Sequence, residues 1–294
     1  MKFGTVAIIG RSNVGKSTLL NRLLDEKIAI VSDKPQTTRT RILGVAHSGD
    51  AQIVFFDTPG LHEPRHLLNR RMVRAALDAF DDADLFYVLA EATGQPGPGD
   101  RAVVSHVREA VARQPRPVIL VINKVDLVNK SRLLPLIENY ARLFPWTEVV
   151  PVSAKRGDNV QRLVELTVDL LPEGPAVYGD DMVTDQSMRV LAAELIREKI
   201  LELTYEEIPH SVAVEIEQFQ ETKKVTRISA AILVEKESQK AIVIGKQGER
   251  LKNVGIAARR DMERLFGVKI FLEMWVKVRE AWREDKQVLS ELGY

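Results

Sequence analysis

Eight residues near the start constrain this chain most. "GRSNVGKS", Gly10 to Ser17, follows the apolar run "TVAIIG" and opens the helical stretch "KSTLLNRLLD". A strand, a Gly-x-x-x-x-Gly-Lys-Ser turn and a helix, in that order, make a phosphate loop. Gly10 and Gly15 let the backbone wrap closely around a phosphate. N–H groups from Asn13 through Val14, Gly15, Lys16 and Ser17 to Thr18 then point inward, aided by the positive end of the helix. Lys16 would reach the β- and γ-phosphates of a nucleotide, and the Ser17 hydroxyl would ligate Mg²⁺.

That loop belongs to a repeating pattern. "AQIVFFD", "LFYVLAE", "RPVILVINK" and "EVVPVSA" read as further buried strands, and helical stretches such as "RRMVRAALDAF" and "RLLPLIENYARLF" separate them. Strand-helix alternation at this spacing predicts an α/β domain with a mostly parallel sheet and helices on both faces. We place it at residues 1–172. Residues 173–186 follow, with Pro, Gly and acidic residues and no clear period, and read as a linker. From 187 to 294 the order changes to a smaller α+β unit. It holds a helix, two long strands, a short helix, a Gly-Lys turn, a second helix, a strand and a last helix.

Three short motifs sit after predicted strands of the first domain. "DTPG" offers Asp57 to hold Mg²⁺ through water. Thr58 and Pro59 shape that turn, and the Gly60 amide would meet a γ-phosphate. "NKVD" offers the Asp126 carboxylate to guanine N1–H and N2–H₂ together. Adenine lacks that donor pair and would leave a buried carboxylate unpaired. Asn123 would tie loops together, and the Lys124 stem would cover the base. In "SAK", backbone N–H groups of Ser153, Ala154 and Lys155 would bond guanine O6. The ligands called for are thus GTP or GDP with Mg²⁺. "SDKPQTTRTRILG", Ser32 to Gly44, reads as a polar switch loop. Thr37 and Thr38 are its candidates for a metal-binding hydroxyl, and Thr38 is favoured; Lys16 and Thr38 would act on the reacting phosphate. Leu61 stands where many small GTPases carry a water-orienting Gln. Asn13 is a residue type that helps bind K⁺ in some GTPases, and it would equally serve to brace the loop.

"AIVIGKQGERLKNVG", residues 241–255, contains the second Gly-Lys turn. Two residues, not four, separate Gly245 from Gly248, and a helix rather than a strand precedes them. Gly-x-x-Gly between two helices of an α+β unit is the pattern of the KH clamp, which grips the backbone of about four nucleotides. Gly245, Lys246, Gln247, Gly248, Arg250 and Lys252 are the RNA-contact candidates. From 240 to 269 there are eight basic and three acidic residues, a local excess of 8 − 3 = +5 in a chain whose formal net charge is +1. Charge and clamp coincide, which favours RNA over a plain solvated helix face. The apolar "AIVI" and facing strands would form a groove for bases. Trp275 and Trp282 would stack on bases or pack in the core.

Cysteine is absent, which excludes disulfides and Cys-based zinc sites. No long apolar stretch marks a signal peptide, so the expected location is the cytoplasm.

The ordered set "GRSNVGKS", "QTTR", "DTPGL", "NKVD", "SAK" and "VIGKQGERLKNVG" resembles the bacterial Era GTPases along essentially the whole chain. That resemblance implies a GTPase domain joined to a type II KH domain. It implies slow GTP hydrolysis, binding of small-subunit ribosomal RNA near its 3′ end, and assistance in rRNA processing and small ribosomal subunit assembly. It also implies peripheral association with the inner membrane, with a monomer expected. The family's hydrophobic replacement of the Gln matches Leu61. "VLAEATGQPGPGD" departs, with Ala90 where an acidic residue is common and Glu91 next; this stretch lies outside the nucleotide motifs. Two rivals to the reading are an RNA chaperone that holds GTP only structurally, and a switch whose partner is a protein or membrane.

Overall fold

A computed structural model describes residues 1–61, 64, 66–204, 208–222 and 224–294. It falls into two units. The first comprises Met1–Ala29, Gln36–Pro64 and Arg70–Asp185. The second comprises Gln186–Tyr294 together with Ile30–Pro35 and Arg65–Asn69.

The first unit runs β1 (Lys2–Gly10), α1 (Lys16–Leu24), β2 (Ile42–Ser48), β3 (Ala51–Asp57), α2 (Leu67–Asp81), β4 (Leu85–Glu91), α3 (Pro98–Arg113), β5 (Val118–Asn123), α4 (Leu133–Ala141), β6 (Glu148–Pro151) and α5 (Val160–Leu170). The sheet order is β2-β3-β1-β4-β5-β6, parallel except for β2. Strand residues alternate between two cores. Val6 and Ile8 face α1 and α5, while Ala7 and Ile9 face α2, α3 and α4. All four are fully buried. Such burial is worth roughly 1.5–3 kcal/mol for each large apolar side chain, so β1 is a rigid base for the loop that follows it. In open sheets of this kind, ligands bind beyond the carboxyl ends of the strands. All four motif loops leave from those ends.

The edge strand β2 was not legible in the sequence, where residues 32–44 read wholly as loop. It pairs antiparallel with β3 from Ile42↔Asp57 to Ser48↔Ala51. Gly44 and His47 interrupt its apolar alternation, and an edge strand needs less of it. Residues 173–186, which read as a linker, are pinned to this sheet. The fully buried Gln52 accepts from the Val177 and Tyr178 N–H groups at 2.8 and 3.0 Å and donates to the Tyr178 carbonyl at 2.8 Å. Val45 N–H also donates to the Val183 carbonyl at 2.8 Å.

The second unit runs α6 (Met188–Leu203), α7 (Ile208–Ser211), β7 (Ala213–Glu221), β8 (Thr226–Val234), α8 (Glu237–Ile244), α9 (Glu249–Phe266), β9 (Ile270–Val278) and α10 (Lys286–Glu291). The sheet order is β7-β8-β9, antiparallel then parallel. Parallel neighbours need a crossover. Here α8 and α9 supply it, which puts the Gly-Lys turn between them. Ile228, Ala230, Ile232 and Val234 of β8 pack with Val243, Val254, Ala258 and Met262 of those helices. The last helix is short. Before it, Trp282 is fully buried and donates from Nε1 to the Ser211 carbonyl at 3.0 Å, so its role is packing, not base stacking. Trp275 is half-buried, with the Lys277 ammonium 5.9 Å from its ring centre. Among the described residues, no helix is long and apolar enough to cross a membrane.

Candidate nucleotide site and nucleic-acid interface

The turn from β1 into α1 is held by the base-side loops. Asn123, at the end of β5, donates from Nδ2 to the Val14 carbonyl at 2.8 Å, and its Oδ1 accepts from the Ala154 N–H at 2.9 Å. One buried amide thus joins the phosphate loop, "NKVD" and "SAK". Gly15 has φ +97°, and a Cβ there would lie 2.3 Å from Asn123 Nδ2. Glycine is therefore required by both conformation and space. The Ala154 N–H, expected to face guanine, is committed to Asn123 instead. Lys155 is exposed, and its carbonyl accepts from Arg22 at 2.8 Å.

Lys16 and the metal candidates lie below the loop. Lys16 is buried, and its Nζ donates to the Arg11 and Gly10 carbonyls at 2.9 and 3.3 Å. Burial pushes its pKa down to about 8, against the charge of Asp57. The Ser17 hydroxyl is 2.8 Å from the Thr38 hydroxyl and donates to Asp57 Oδ2 at 2.5 Å; Thr38 Oγ1 is 3.4 Å from the same oxygen. Of the two threonines considered, Thr38 is the one placed in this cluster. Burial pushes Asp57 up to about 6, against Lys16 and the two hydroxyls. Asp57 Oδ1 is buried without a hydrogen-bond partner among the described residues. Two hydroxyls and a carboxylate with a spare oxygen suit a hard cation. Among the described residues no cluster of three His, Cys, Asp or Glu could hold a metal. A cation here would complete its shell with phosphate oxygens and water.

Thr58 donates to the Ile8 carbonyl at 2.8 Å, and Pro59 and Gly60 are buried after it. Thr18 is half-buried in the first turn of α1. Leu61 is half-buried against the second core, with its N–H 3.4 Å from the Gly10 carbonyl.

On the base side, Ser153 donates to Asp126 Oδ1 at 2.6 Å. This hydrogen bond, ahead of the nearby Arg156 and Lys155 charges, lowers the Asp126 pKa below the usual carboxylate range. Asp126 is thus kept ionised and aimed, as an acceptor for paired N–H donors must be. The Lys124 ammonium donates to the Asn13 carbonyl at 2.7 Å and to Glu91 Oε1. In the sequence Glu91 stands outside the nucleotide motifs; the structure puts it in contact with one of them.

In the second unit, α8 ends at Ile244 and the chain turns with φ +73° at Gly245, +50° at Gln247 and +81° at Gly248. Gly248 N–H closes the turn onto the Gly245 carbonyl at 3.2 Å. A Cβ on Gly245 would sit 2.7 Å from Arg250 Cβ, whereas one on Gly248 would meet nothing within 4 Å. The first glycine fits the fold, and the second leaves the surface open. Lys246, Gln247 and Lys252 are exposed. Arg250 is half-buried and donates to the Ile242 carbonyl, so it braces the turn rather than standing free. A groove of about 380 Å³ adjoins Gly248, lined by Leu251 and Ile256 of α9 and by Leu272 and Met274 of β9. None of the "AIVI" residues lines it: Val243 is buried in the core, and Ala241 and Ile242 are exposed away from the groove lining. Lys246, Lys252, Arg259, Arg260 and Arg264 are exposed with no ion-pair partner among the described residues.

Comparison with known proteins agrees with this division. Residues 5–124 match the family model described as a 50S ribosome-binding GTPase, and residues 207–283 match the KH domain. The GTPase Era of Geobacter metallireducens is 50% identical over 293 residues, covering 99% of this chain and 97% of the relative. That of Leuconostoc citreum is 50% identical over 295 residues, covering 100% and 96%. A solved structure of Era with MgGDPNP and nucleotides 1506–1542 of 16S ribosomal RNA superposes with a TM-score of 0.95 at 41% identity, covering 100% of this chain and 99% of that one. A structure of a single-substitution variant of Aquifex aeolicus Era bound to GDP·AlF4⁻ gives the same TM-score, identity and coverage. With half its residues shared over its full length and the same two units in the same order, this chain belongs to the Era family of GTPases.

Proposed function

We propose that this chain is a GTP-hydrolysing switch whose nucleotide state sets its affinity for small-subunit ribosomal RNA near the 3′ end. Its output is rRNA processing and assembly of the small ribosomal subunit. The observation that carries the reading is the pair of hydrogen bonds made by the Asn123 side chain, which gathers phosphate loop, base reader and "SAK" loop into one site. The Era structure with MgGDPNP and 16S rRNA supports both ligands.

In this reading Lys16 contacts the β- and γ-phosphates and offsets charge that builds during phosphoryl transfer. Ser17 and Thr38 present hydroxyls to Mg²⁺, and Asp57 holds it through water. The bound ion supplies charge neutralisation of the phosphates. Asp126 reads guanine, Lys124 covers it, and Gly60 meets the γ-phosphate. Leu61 has no group to orient water, so turnover is slow and water positioning falls to another element. Asn13 is our candidate for a K⁺ site that adds positive charge beside the phosphates. Turnover in KCl should exceed that in NaCl, and equal rates would remove the K⁺ assignment. The RNA backbone crosses Gly245–Gly248 and Lys252, with bases in the groove beside α9 and β9. A monomer working in the cytoplasm, with peripheral contact at the inner membrane, completes the reading.

The decisive experiment measures RNA affinity with a non-hydrolysable GTP analogue and with GDP, alongside phosphate release with and without RNA. Equal affinities would overturn the coupling. Absence of GTP turnover in every condition would reduce the nucleotide to a structural ligand.

A further inference from the structure

Glu91 is the last residue of β4, in register with Asn123 on β5. The Ala92 N–H donates to the Asn123 carbonyl at 2.8 Å, which extends the pairing one residue beyond the strand. Parallel pairing therefore sets Glu91 beside "NKVD", although it stands 33 positions from Lys124 in the chain. Its Oε1 accepts from the Lys124 ammonium, and its Oε2 accepts from the Thr93 hydroxyl at 3.3 Å. The ammonium's other acceptor is the Asn13 carbonyl at 2.7 Å. Glu91 and Lys124 side chains are 23% and 31% exposed, so the pair is partly shielded from water.

A lysine with no partner keeps its ammonium in bulk water and its stem mobile. Here two acceptors fix the head, and the backbone of Lys124 is itself in the left-handed region at φ +67°. With both ends fixed, the four-carbon stem has few conformations left. We propose that Glu91 is a positioning residue for guanine-nucleotide binding. It pins the Lys124 ammonium against the phosphate loop, so that the stem is pre-placed to cover the base before the nucleotide arrives. Preorganisation of this kind raises affinity by removing the entropic cost of ordering the side chain on binding. The same contact ties the Asn13 carbonyl to the base loop, so it also steadies the phosphate loop.

The inference rests on the guanine-nucleotide reading of the site, and it separates two jobs within that site. Asp126 reads hydrogen-bond donors and so distinguishes guanine from hypoxanthine, which lacks the 2-amino group. A stem lying on a base makes apolar contact and is indifferent to that group. Glu91 should therefore govern affinity without governing base identity.

The test is equilibrium binding of GDP and of inosine diphosphate, with Mg²⁺, to the full chain and to Glu91→Ala, Glu91→Gln, Lys124→Ala and the Glu91→Ala/Lys124→Ala double variant. Glu91→Ala should weaken both nucleotides by the same factor, about five- to tenfold. Glu91→Gln keeps the acceptor and the volume, and should recover part of that loss. The double variant should bind as Lys124→Ala does, because Glu91 acts only through Lys124. Wild-type affinity in Glu91→Ala, losses that multiply in the double variant, or a changed GDP-to-inosine-diphosphate ratio would each overturn the assignment. If the wild-type chain binds GDP no better than ADP, the guanine reading itself fails and takes this role with it.

Discussion

The molecule turns its chain with Gly-Lys twice, and the two turns are built in opposite ways. Between β1 and α1, Lys16 is only 6% exposed, and Gly15 is wedged against the Asn123 amide. Between α8 and α9, Lys246 is exposed, and Gly248 faces open space. The first turn is roofed by other loops, so its donors are fixed before a phosphate enters. The second presents charge and bare backbone to whatever strand passes. An enclosed turn suits a small ligand of one shape, and an open one suits a polymer whose phosphates repeat. Four measurements would break or sharpen that contrast.

The largest effect is expected from Gly15→Ala. Its Cβ would collide with Asn123 and hold a non-glycine residue at positive φ, at about 1–3 kcal/mol for the backbone alone. With the Asn123 tie disturbed as well, GDP affinity should fall by about 100-fold or more, read by fluorescent nucleotide titration. Near-normal binding would mean that the roof over the first turn is not needed.

Next comes Asp126→Asn. It replaces an ionised acceptor with an amide that can also donate. GDP affinity should drop about 10- to 100-fold while xanthosine diphosphate gains. A uniform loss for both bases would mean that Asp126 shapes the loop without reading the base.

The third effect is pH-dependent. Lys16 titrates near pH 8 without ligand, and phosphate would raise that value. Nucleotide binding should therefore take up a proton above about pH 8, with affinity falling by up to about tenfold per pH unit. Asp57 titrates near 6, and Mg²⁺ would lower that value. Mg²⁺ binding should then release a proton below about pH 6 and weaken as pH falls. The apo chain carries the opposite signs. The depressed Lys16 adds stability as pH rises from 8 toward 10.5, and the raised Asp57 removes it as pH rises from 3.8 to 6. Calorimetry in buffers of different ionisation enthalpy counts the protons, and none exchanged would contradict burial of this pair.

The smallest effect belongs to the open turn. Lys246→Ala or Lys252→Ala should each reduce RNA affinity a few-fold and lower the salt slope by about 0.7. A loss that does not depend on salt would point to a shape-specific contact instead of an open electrostatic one.

The contrast also explains what was legible in the sequence. Phosphate loop, "DTPG", "NKVD" and "SAK" could be read because each follows a largely apolar strand, such as "VILVI", and local order was enough to place it. Glu91 could not, because only the register of β4 on β5 brings it to Lys124. The groove wall at Leu272 and Met274 escaped for the same reason, since it depends on β9 pairing with β8. Arg250 looked like one more surface cation; its use by the Ile242 carbonyl is a tertiary fact. β2 was missed because an edge strand carries weak periodicity. Trp282 shows the limit of composition, since an indole serves base stacking and core packing equally until its neighbours are known.

Asn123 carries one further consequence. The two hydrogen bonds of its side-chain amide join three loops that are far apart in the chain. Loops held by one side chain do not open independently. Their amide hydrogens should exchange with solvent through a single opening event, at one shared free energy, and behave as one cooperative unit. A nucleotide that stabilises any one of them would then slow exchange in all three.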